Sequence, residues 1–219
     1  MNDLFKKMQE DFKTNGFLIV KKFLTEDIAN LSYEYCKLKT LRQSEKLRLH
    51  KENYMKDWDG AFGDGQINNS FSFYGDPYFD GLLKLSMVNF ENYTGLNLSP
   101  EYTYWRLYEK DDILKEHIDR PSCEISATIC LGYNCSNLSN YIWPIFIKNK
   151  NNEKIEIILN SGDMLLYRGC EIAHGRDKFL GLNQAQVFLH FKDKNNQYYN
   201  INKLYDERES LGLPKFFYN

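Results

Sequence analysis

The sequence contains no long hydrophobic run, no excess of basic residues and no closely spaced cysteine pair. A membrane-spanning helix needs about 20 consecutive, mostly apolar residues. No segment approaches that length, so we expect no membrane partner. The formal net charge of −2 leaves no basic surplus to neutralise a phosphate backbone. We therefore expect no nucleic-acid partner either.

The cysteines are few, odd in number and irregularly spaced, with no CxxC pair. The first seventeen residues carry charge throughout and lack the apolar core of a secretory signal. We therefore expect reduced thiols and a cytoplasmic protein. No histidine lies among Cys123, Cys130 and Cys135, so these three residues are interpreted as buried structural thiols rather than zinc ligands.

What the sequence has in abundance is aromatic residues, which make up 16% of the chain. With 42% hydrophobic and 26% charged residues, the composition is that of a globular protein. A length of 219 residues predicts a single domain over residues 1–219. Within it, we expect an N-terminal supporting region over 1–100, a core over 101–195 and a C-terminal extension over 196–219.

The N-terminal region predicts helices around one short strand. Residues Leu4, Met8 and Phe12 have helical spacing, and the apolar segment 17–20 that follows predicts a strand. Thr25 can cap a second helix, on which we expect an apolar face formed by Ile28, Leu31 and Tyr35. Residues 77–93 predict a further helix. Between these helices, the polar, glycine-containing segment 53–70 predicts a long mobile loop, a feature that often covers an active site.

From residue 102 onward the pattern changes to short aromatic or β-branched runs separated by turn residues. These runs cover 102–108, 124–133, 141–147, 155–160, 164–167 and 185–191. Many short strands at this spacing are typical of a sandwich or barrel. We therefore predict a mainly β, α+β fold with a jelly-roll core preceded by packing helices.

The chain has only four histidines, and two of them suggest a metal site. Alternation along a strand would place His117 and Asp119 on one face. Together with His174 from a later strand, they would form the two-histidine, one-carboxylate set that binds non-haem iron(II). His190 is the rival distal ligand, but we interpret it as a hydrogen-bonded strand histidine. His50 lies in a basic segment and is interpreted as a surface residue.

Several short segments resemble one known family when they are read in order. These are YEKDD at 108–112, EHIDRP at 116–121, SGDMLLY at 161–167, AHGR at 173–176 and GFLIVKKFLTED at 16–27. They resemble the prolyl-4-hydroxylase-type branch of the iron(II)- and 2-oxoglutarate-dependent oxygenases. The resemblance implies a double-stranded β-helix, Fe(II), 2-oxoglutarate and O2, with the metal on His117, Asp119 and His174.

The sequence departs from that family at the cation that pairs the far carboxylate of 2-oxoglutarate. The family usually supplies it on the strand after the distal histidine, where this chain has Asn183, Gln184, Ala185 and Gln186. A dianion needs a cation, and the planar guanidinium of arginine matches a carboxylate. We take Arg176 as the first candidate and Arg106 as the second, while Arg168 and Arg120 remain open.

Two further residues are candidates for hydrogen bonds to the cosubstrate, namely Tyr108 and Thr128, which are equally plausible as ordinary strand residues. The resemblance implies hydroxylation of an unactivated C–H bond in a peptide or small molecule, with release of succinate and CO2. Two alternatives stay open at this point. One is a non-catalytic jelly-roll module that binds a ligand or protein, and the other is a cupin-type metal enzyme that does not use 2-oxoglutarate.

Overall fold

A computed structural model describes residues 3–49 and 56–215. The helices are α1 (Asp3–Asn15), α2 (Glu26–Leu49), α3 (Lys56–Asp59) and α4 (Pro77–Thr94). The strands are β1 (Phe17–Val20), β2 (Ala61–Phe62), β3 (Phe71–Tyr74), β4 (Leu98–Glu109), β5 (Leu114–His117), β6 (Ile125–Asn134), β7 (Ile145–Lys148), β8 (Lys154–Ile157), β9 (Met164–Arg168), β10 (His174–Arg176) and β11 (Asn183–Asp193).

The described strands form two antiparallel sheets. The major sheet has the order β1-β9-β6-β11-β4-β3-β2, and the minor sheet has the order β5-β10-β7-β8. The two sheets face one another across an interior, where the hydroxyl oxygen of Tyr167 on β9 lies 3.3 Å from Nε2 of His174 on β10. This arrangement confirms the predicted mainly β fold with a jelly-roll core and flanking helices.

The helices pack on one face of the major sheet, because apolar side chains occupy alternate positions of the central strands and so face the same side. On β11, Val187 and Leu189 join the apolar core that also contains Phe12 of α1 and Phe79 of α4. On β4, Trp105 belongs to the same core. Because side chains alternate across a strand, the intervening residues of β4, β6 and β11 face the minor sheet. That inner face is where the polar residues are concentrated.

The apolar face predicted for α2 is wrong. Ile28 and Leu31 are 44% and 60% exposed. The buried residues of this helix are Ala29, Ser32, Cys36, Thr40 and Gln43. The physical reason is close packing: α2 approaches β6 so nearly that a side chain at Gly132 would overlap the Tyr33 ring. Small and polar side chains fit such an interface, so Ile28 and Leu31 point outward. Of the predicted face, only Tyr35 packs against the core, where Tyr33 also lies.

The segment predicted as a long loop is more ordered than expected. Its residues 53–55 lie outside the described part of the chain, but α3 and β2 follow, and β2 pairs with β3. Only 63–70, between β2 and β3, is irregular; we call it the 63–70 segment. The helix predicted over 77–93 is confirmed, with Asp76 as its N-cap and Gly95 as its left-handed C-cap. Among the described residues, no helix is both long enough and apolar enough for a transmembrane span.

The turn before β9 depends on a glycine. Gly162 has φ +85°, and its N–H donates to the Cys130 carbonyl at 2.8 Å. A Cβ there would overlap the Leu24 carbonyl oxygen. We expect Gly162→Ala to lower the free energy of unfolding by about 1–3 kcal/mol, because it adds both strain and a clash. Urea denaturation would measure this loss. The control is Gly65→Ala, where a Cβ meets nothing; equal stability of the two variants would contradict the explanation.

Candidate metal centre

Two histidines from neighbouring strands of the minor sheet face one another. His117 ends β5 and His174 begins β10, and the two residues are direct partners in the antiparallel register. Their ring centroids lie 4.4 Å apart. Register pairing therefore brings together two residues that are distant in sequence.

Asp119 completes the group, but not by strand alternation. β5 ends at His117, and Asp119 lies in the turn that follows, where its N–H donates to the Gly169 carbonyl at 2.8 Å. The prediction that His117 and Asp119 share one strand face is therefore wrong in its reason. The hydrogen bond to Gly169 fixes the backbone after the strand, and Asp119 reaches the histidines from there.

In both imidazoles a backbone carbonyl fixes the tautomer, so the same nitrogen carries the lone pair that a metal would use. Nδ1 of His117 lies 2.8 Å from the Lys115 carbonyl, and Nδ1 of His174 lies 2.9 Å from the Ile172 carbonyl. A carbonyl only accepts, so each Nδ1 carries the proton and each Nε2 carries a lone pair. Both Nε2 atoms lie 3.6 Å from Oδ1 of Asp119. All three donor atoms lie within 4.8 Å of one another, which suits one ion.

The electrostatics of Asp119 and His174 also suit a divalent cation. Burial raises the pKa of Asp119, but hydrogen bonding to His117 and the nearby His174 outweigh burial, so the net pKa is lowered. Burial lowers the pKa of His174, although Asp119 opposes this effect. Asp119 is therefore a carboxylate and His174 a neutral imidazole near neutral pH. Those are the protonation states in which each residue binds a metal.

Asp119 is oriented by Ser126 and by His190, the third histidine of the described residues; His50 lies outside them. The Ser126 hydroxyl lies 2.9 Å from Oδ2 of Asp119 and 2.9 Å from Nδ1 of His190. Burial lowers the pKa of His190 to about 4, so this residue is neutral and can donate its Nδ1 proton to Ser126. His190 is 5% exposed on β11, as predicted for a hydrogen-bonded strand histidine. The pair leaves Oδ1 of Asp119 directed at the two histidines.

A second group of donor atoms shares Asp119 and includes Cys123 and His190. It is the weaker candidate, because burial raises the pKa of the Cys123 thiol well above its usual range and the sulfur keeps its proton.

The orienting role of Ser126 gives a measurable expectation. Hydrogen-bond partners of metal ligands typically contribute about 10- to 100-fold to metal affinity. We therefore expect Ser126→Ala to weaken Mn(II) binding by that factor, measured by calorimetry. Ser99→Ala is the matched control, because Ser99 is equally buried but lies near the far end of β4. Unchanged affinity in Ser126→Ala would show that Asp119 does not need this contact.

Arg176 is a buried cation whose charge has no carboxylate partner among the described residues. It is 1% exposed, and its Nη1 donates to the Trp143 carbonyl at 2.9 Å. Its guanidinium carbon lies 4.7 Å from the centroid of the Trp143 ring, and its Nη2 has no hydrogen-bond partner in the described chain. The extra residue of the β5–β10 irregularity lies on β5, since His174 pairs with His117 and Arg176 with Leu114. Arg176 therefore stays on the inner side with His174.

The other three arginine candidates are already paired. Arg106 is buried and forms an ion pair with Asp64. Arg120 donates two hydrogen bonds to Asp206, each of 2.7 Å. Nη1 of Arg168 lies 3.6 Å from Oε1 of Glu171. The structure therefore leaves Arg176 as the one of these four whose charge is not matched by a described acid.

The two predicted hydrogen-bonding residues lie on the inner face of the major sheet. Tyr108 is fully buried, and its hydroxyl accepts from Arg106 Nη1 at 3.3 Å. Thr128 donates to Oε1 of Gln186 at 3.0 Å, and Nε2 of Gln186 has no partner in the described chain. Tyr108 is close enough to Arg176 to influence the pKa of that guanidinium, which burial lowers.

A cavity of about 490 Å³ opens onto the group formed by His117, Asp119 and His174. Its lining includes His117, Asp119 and His174 together with Gln66, Tyr104 and Arg106. The sequence did not indicate Gln66, Asp64 or Ser126. Asp64 and Gln66 lie in the segment 53–70 that the sequence suggested as an active-site cover, but their partners are far away in the chain. Ser126 follows the HxD motif by seven residues, and that proximity is the signal that could have found it.

These features define the class of fold. The two antiparallel sheets have the same jelly-roll fold as solved structures of iron(II)- and 2-oxoglutarate-dependent oxygenases, which confirms the fold that the sequence resemblance implied. No protein-family model matches the chain.

Three solved structures illustrate the similarity. A prolyl-4-hydroxylase from Pseudomonas putida is 13% identical, with a TM-score of 0.65 over 86% of this chain and 98% of that chain. The carbocyclase SnoK from nogalamycin biosynthesis is 11% identical, with a TM-score of 0.63 over 95% and 92% of the two chains. HygX from Streptomyces hygroscopicus, with nickel and 2-oxoglutarate bound, is 13% identical, with a TM-score of 0.59 over 96% of each chain. At these identities the similarity is one of fold.

One curated protein is similar in sequence, the Repetitive organellar protein of Plasmodium falciparum. The two sequences are 25% identical over an alignment of 222 positions, gaps included, that covers 97% of this chain. The chain spans only 10% of the length of that protein.

Proposed function

We propose that the protein is an iron(II)- and 2-oxoglutarate-dependent dioxygenase that hydroxylates an unactivated C–H bond of a peptide or small molecule. The products from the cosubstrate would be succinate and CO2. The observation that carries this proposal is the combination of a converging His–Asp–His group with a buried, unmatched arginine on the same strand as the distal histidine. A metal site alone would not need that cation.

His117, Asp119 and His174 would hold the iron. When bound there, iron would supply, with 2-oxoglutarate and O2, the oxidising chemistry that C–H hydroxylation needs. Asp119 brings one negative charge to the site, and Ser126 holds its carboxylate in position. Asp119 also argues against a halogenase, in which a small residue stands at this place.

Arg176 would pair the far carboxylate of 2-oxoglutarate. It lies two residues after His174 on β10, and two residues of a strand span about 7 Å. That span suits a five-carbon diacid that reaches from the metal to the guanidinium. The Trp143 contacts hold the arginine, while Nη2 remains available for the carboxylate. Tyr108 and Thr128 would add hydrogen-bonding groups on the facing sheet.

The substrate would occupy the 490 Å³ cavity. Cavities of about 300–1,000 Å³ hold small molecules, so a small molecule or one side chain of a peptide fits. We also propose a cytoplasmic location, because all five cysteines are free and thiols persist in reducing compartments.

Succinate formation tests the proposal. The full chain is incubated in air with Fe(II) and 2-oxoglutarate, and succinate is measured without added substrate. We expect slow, iron-dependent succinate formation that stops when Asp119 is replaced with Ala. Iron binding without succinate would instead indicate a cupin-type metal enzyme. Failure to bind either iron or 2-oxoglutarate would indicate a non-catalytic binding module.

A further inference from the structure

The 63–70 segment places a carboxamide against the proposed metal site. Nε2 of Gln66 lies 3.1 Å from Nε2 of His117. Oε1 of Gln66 accepts from Arg106 Nη2 at 3.2 Å. A guanidinium only donates, so the atom next to Arg106 is the amide oxygen and the atom next to His117 is the NH2 group. Gln66 therefore donates a hydrogen bond to His117.

This hydrogen bond uses the same lone pair that a metal would use. Nδ1 of His117 carries the proton that is donated to the Lys115 carbonyl. The imidazole then has a single lone pair, on Nε2. An amide N–H and a metal ion cannot both occupy that lone pair. The Gln66 contact and metal binding by His117 are therefore mutually exclusive.

The position of Gln66 is fixed by Asp64. One carboxylate oxygen of Asp64 accepts the backbone N–H groups of Gln66 and Ile67, both at 2.8 Å. The other accepts from the Tyr104 hydroxyl and from Arg106. Four hydrogen bonds fill the accepting capacity of a carboxylate. Asp64 therefore anchors the segment to the buried inner face of β4, so the Gln66 contact with His117 is held by the fold.

We propose that Gln66 competes with the metal for Nε2 of His117, so that metal loading and the position of the 63–70 segment are linked. The inference rests on the metal site of the proposed function. Linkage is reciprocal: a contact that metal binding must break lowers metal affinity, and metal binding in turn loosens that contact. Displaced from His117, the Gln66 amide is a free donor at the wall of the substrate cavity. The cavity therefore gains this N–H only after the metal has bound to His117.

Mn(II) titration of the full chain tests the first half of the linkage. Gln66→Leu keeps most of the side-chain bulk and removes the donor. A neutral hydrogen bond contributes about 0.5–1.5 kcal/mol net, so we expect Mn(II) to bind about two- to tenfold more tightly to this variant. Asn69→Leu is the matched control, since Asn69 is an exposed amide of the same segment, whereas the amide that contacts His117 is that of Gln66. Equal or weaker Mn(II) binding by Gln66→Leu would overturn the inference.

Hydrogen exchange tests the reciprocal half. Mn(II) is expected to speed amide exchange within residues 63–70 of the wild-type chain, because it breaks the Gln66–His117 contact. In Gln66→Leu, exchange of the same residues is expected to be fast already and not to respond to Mn(II). A segment that ignores Mn(II) in the wild type contradicts the inference while the metal site stands. If the wild-type chain does not bind Mn(II) at all, the proposed function fails and the inference fails with it.

Discussion

Replacing His174 with Ala is expected to abolish stoichiometric Fe(II) binding. The imidazole supplies one of the three donor atoms of the His117–Asp119–His174 group, which lie within 4.8 Å of one another. Its loss leaves one imidazole and one carboxylate, too few to hold non-haem iron against solvent. The same result is expected for His117→Ala and Asp119→Ala. Anaerobic calorimetry with Fe(II), together with metal analysis of the purified protein, would measure the stoichiometry.

His190→Ala separates a ligand from a supporting residue in this experiment. His190 is as buried as His174 and also lies near Asp119, so loss of any buried histidine is controlled for. Its Nδ1 is engaged with Ser126, so we expect the variant to keep one iron per chain with reduced affinity. Full iron affinity in His174→Ala would rule out the assignment. Loss of stoichiometric binding in His190→Ala would favour the second donor group.

The inner and outer faces of the central strands could be predicted from sequence because they follow local alternation. The predicted strand 185–191 lies within β11, and its alternate residues Val187 and Leu189 pack under the helices. The intervening Gln186 and His190 point to the interior by the same rule. Local patterns of this kind are written into consecutive residues, so no knowledge of distant contacts was needed.

The helix α2 shows where local pattern fails. Its larger apolar residues were expected inside, yet Leu31 is 60% exposed while Gln43 is buried. What decides the buried face is how closely the helix approaches β6 at Gly132, and that distance depends on a strand about a hundred residues later. Hydrophobicity along the helix carries no information about that approach.

The choice between Arg176 and Arg106 could not be made from sequence for a similar reason. Both arginines lie on inner faces of strands, and both are 1% exposed. They differ because Asp64, from the irregular 63–70 segment, pairs with Arg106. No spacing rule connects residue 64 with residue 106. The proposed metal ligands, by contrast, could be predicted because the HxD tripeptide places two of them almost side by side.

Arg176→Met is expected to weaken 2-oxoglutarate binding by about 2–5 kcal/mol, or thirtyfold or more, because removing one partner of a buried charge pair leaves the other unpaired. Fe(II) binding should be unchanged, since Arg176 is not a metal donor. Calorimetry with 2-oxoglutarate on the Mn(II)-loaded protein, with Mn(II) affinity measured in parallel, separates the two effects. Arg176→Lys should fall between the wild type and the methionine variant, because it keeps the charge but loses the planar fork.

Arg106→Met is the matched control for the cosubstrate experiment, because Arg106 is as buried as Arg176 but has Asp64 as its partner. We expect it to change 2-oxoglutarate affinity much less. Stability provides an independent test of the role of Arg176. A buried cation without a counter-ion destabilises the folded state, so Arg176→Met should leave the free energy of unfolding unchanged or raise it. A residue kept at such a cost is one that function requires. Normal 2-oxoglutarate affinity in Arg176→Met would contradict its assignment, and normal affinity in both variants would contradict the use of 2-oxoglutarate itself.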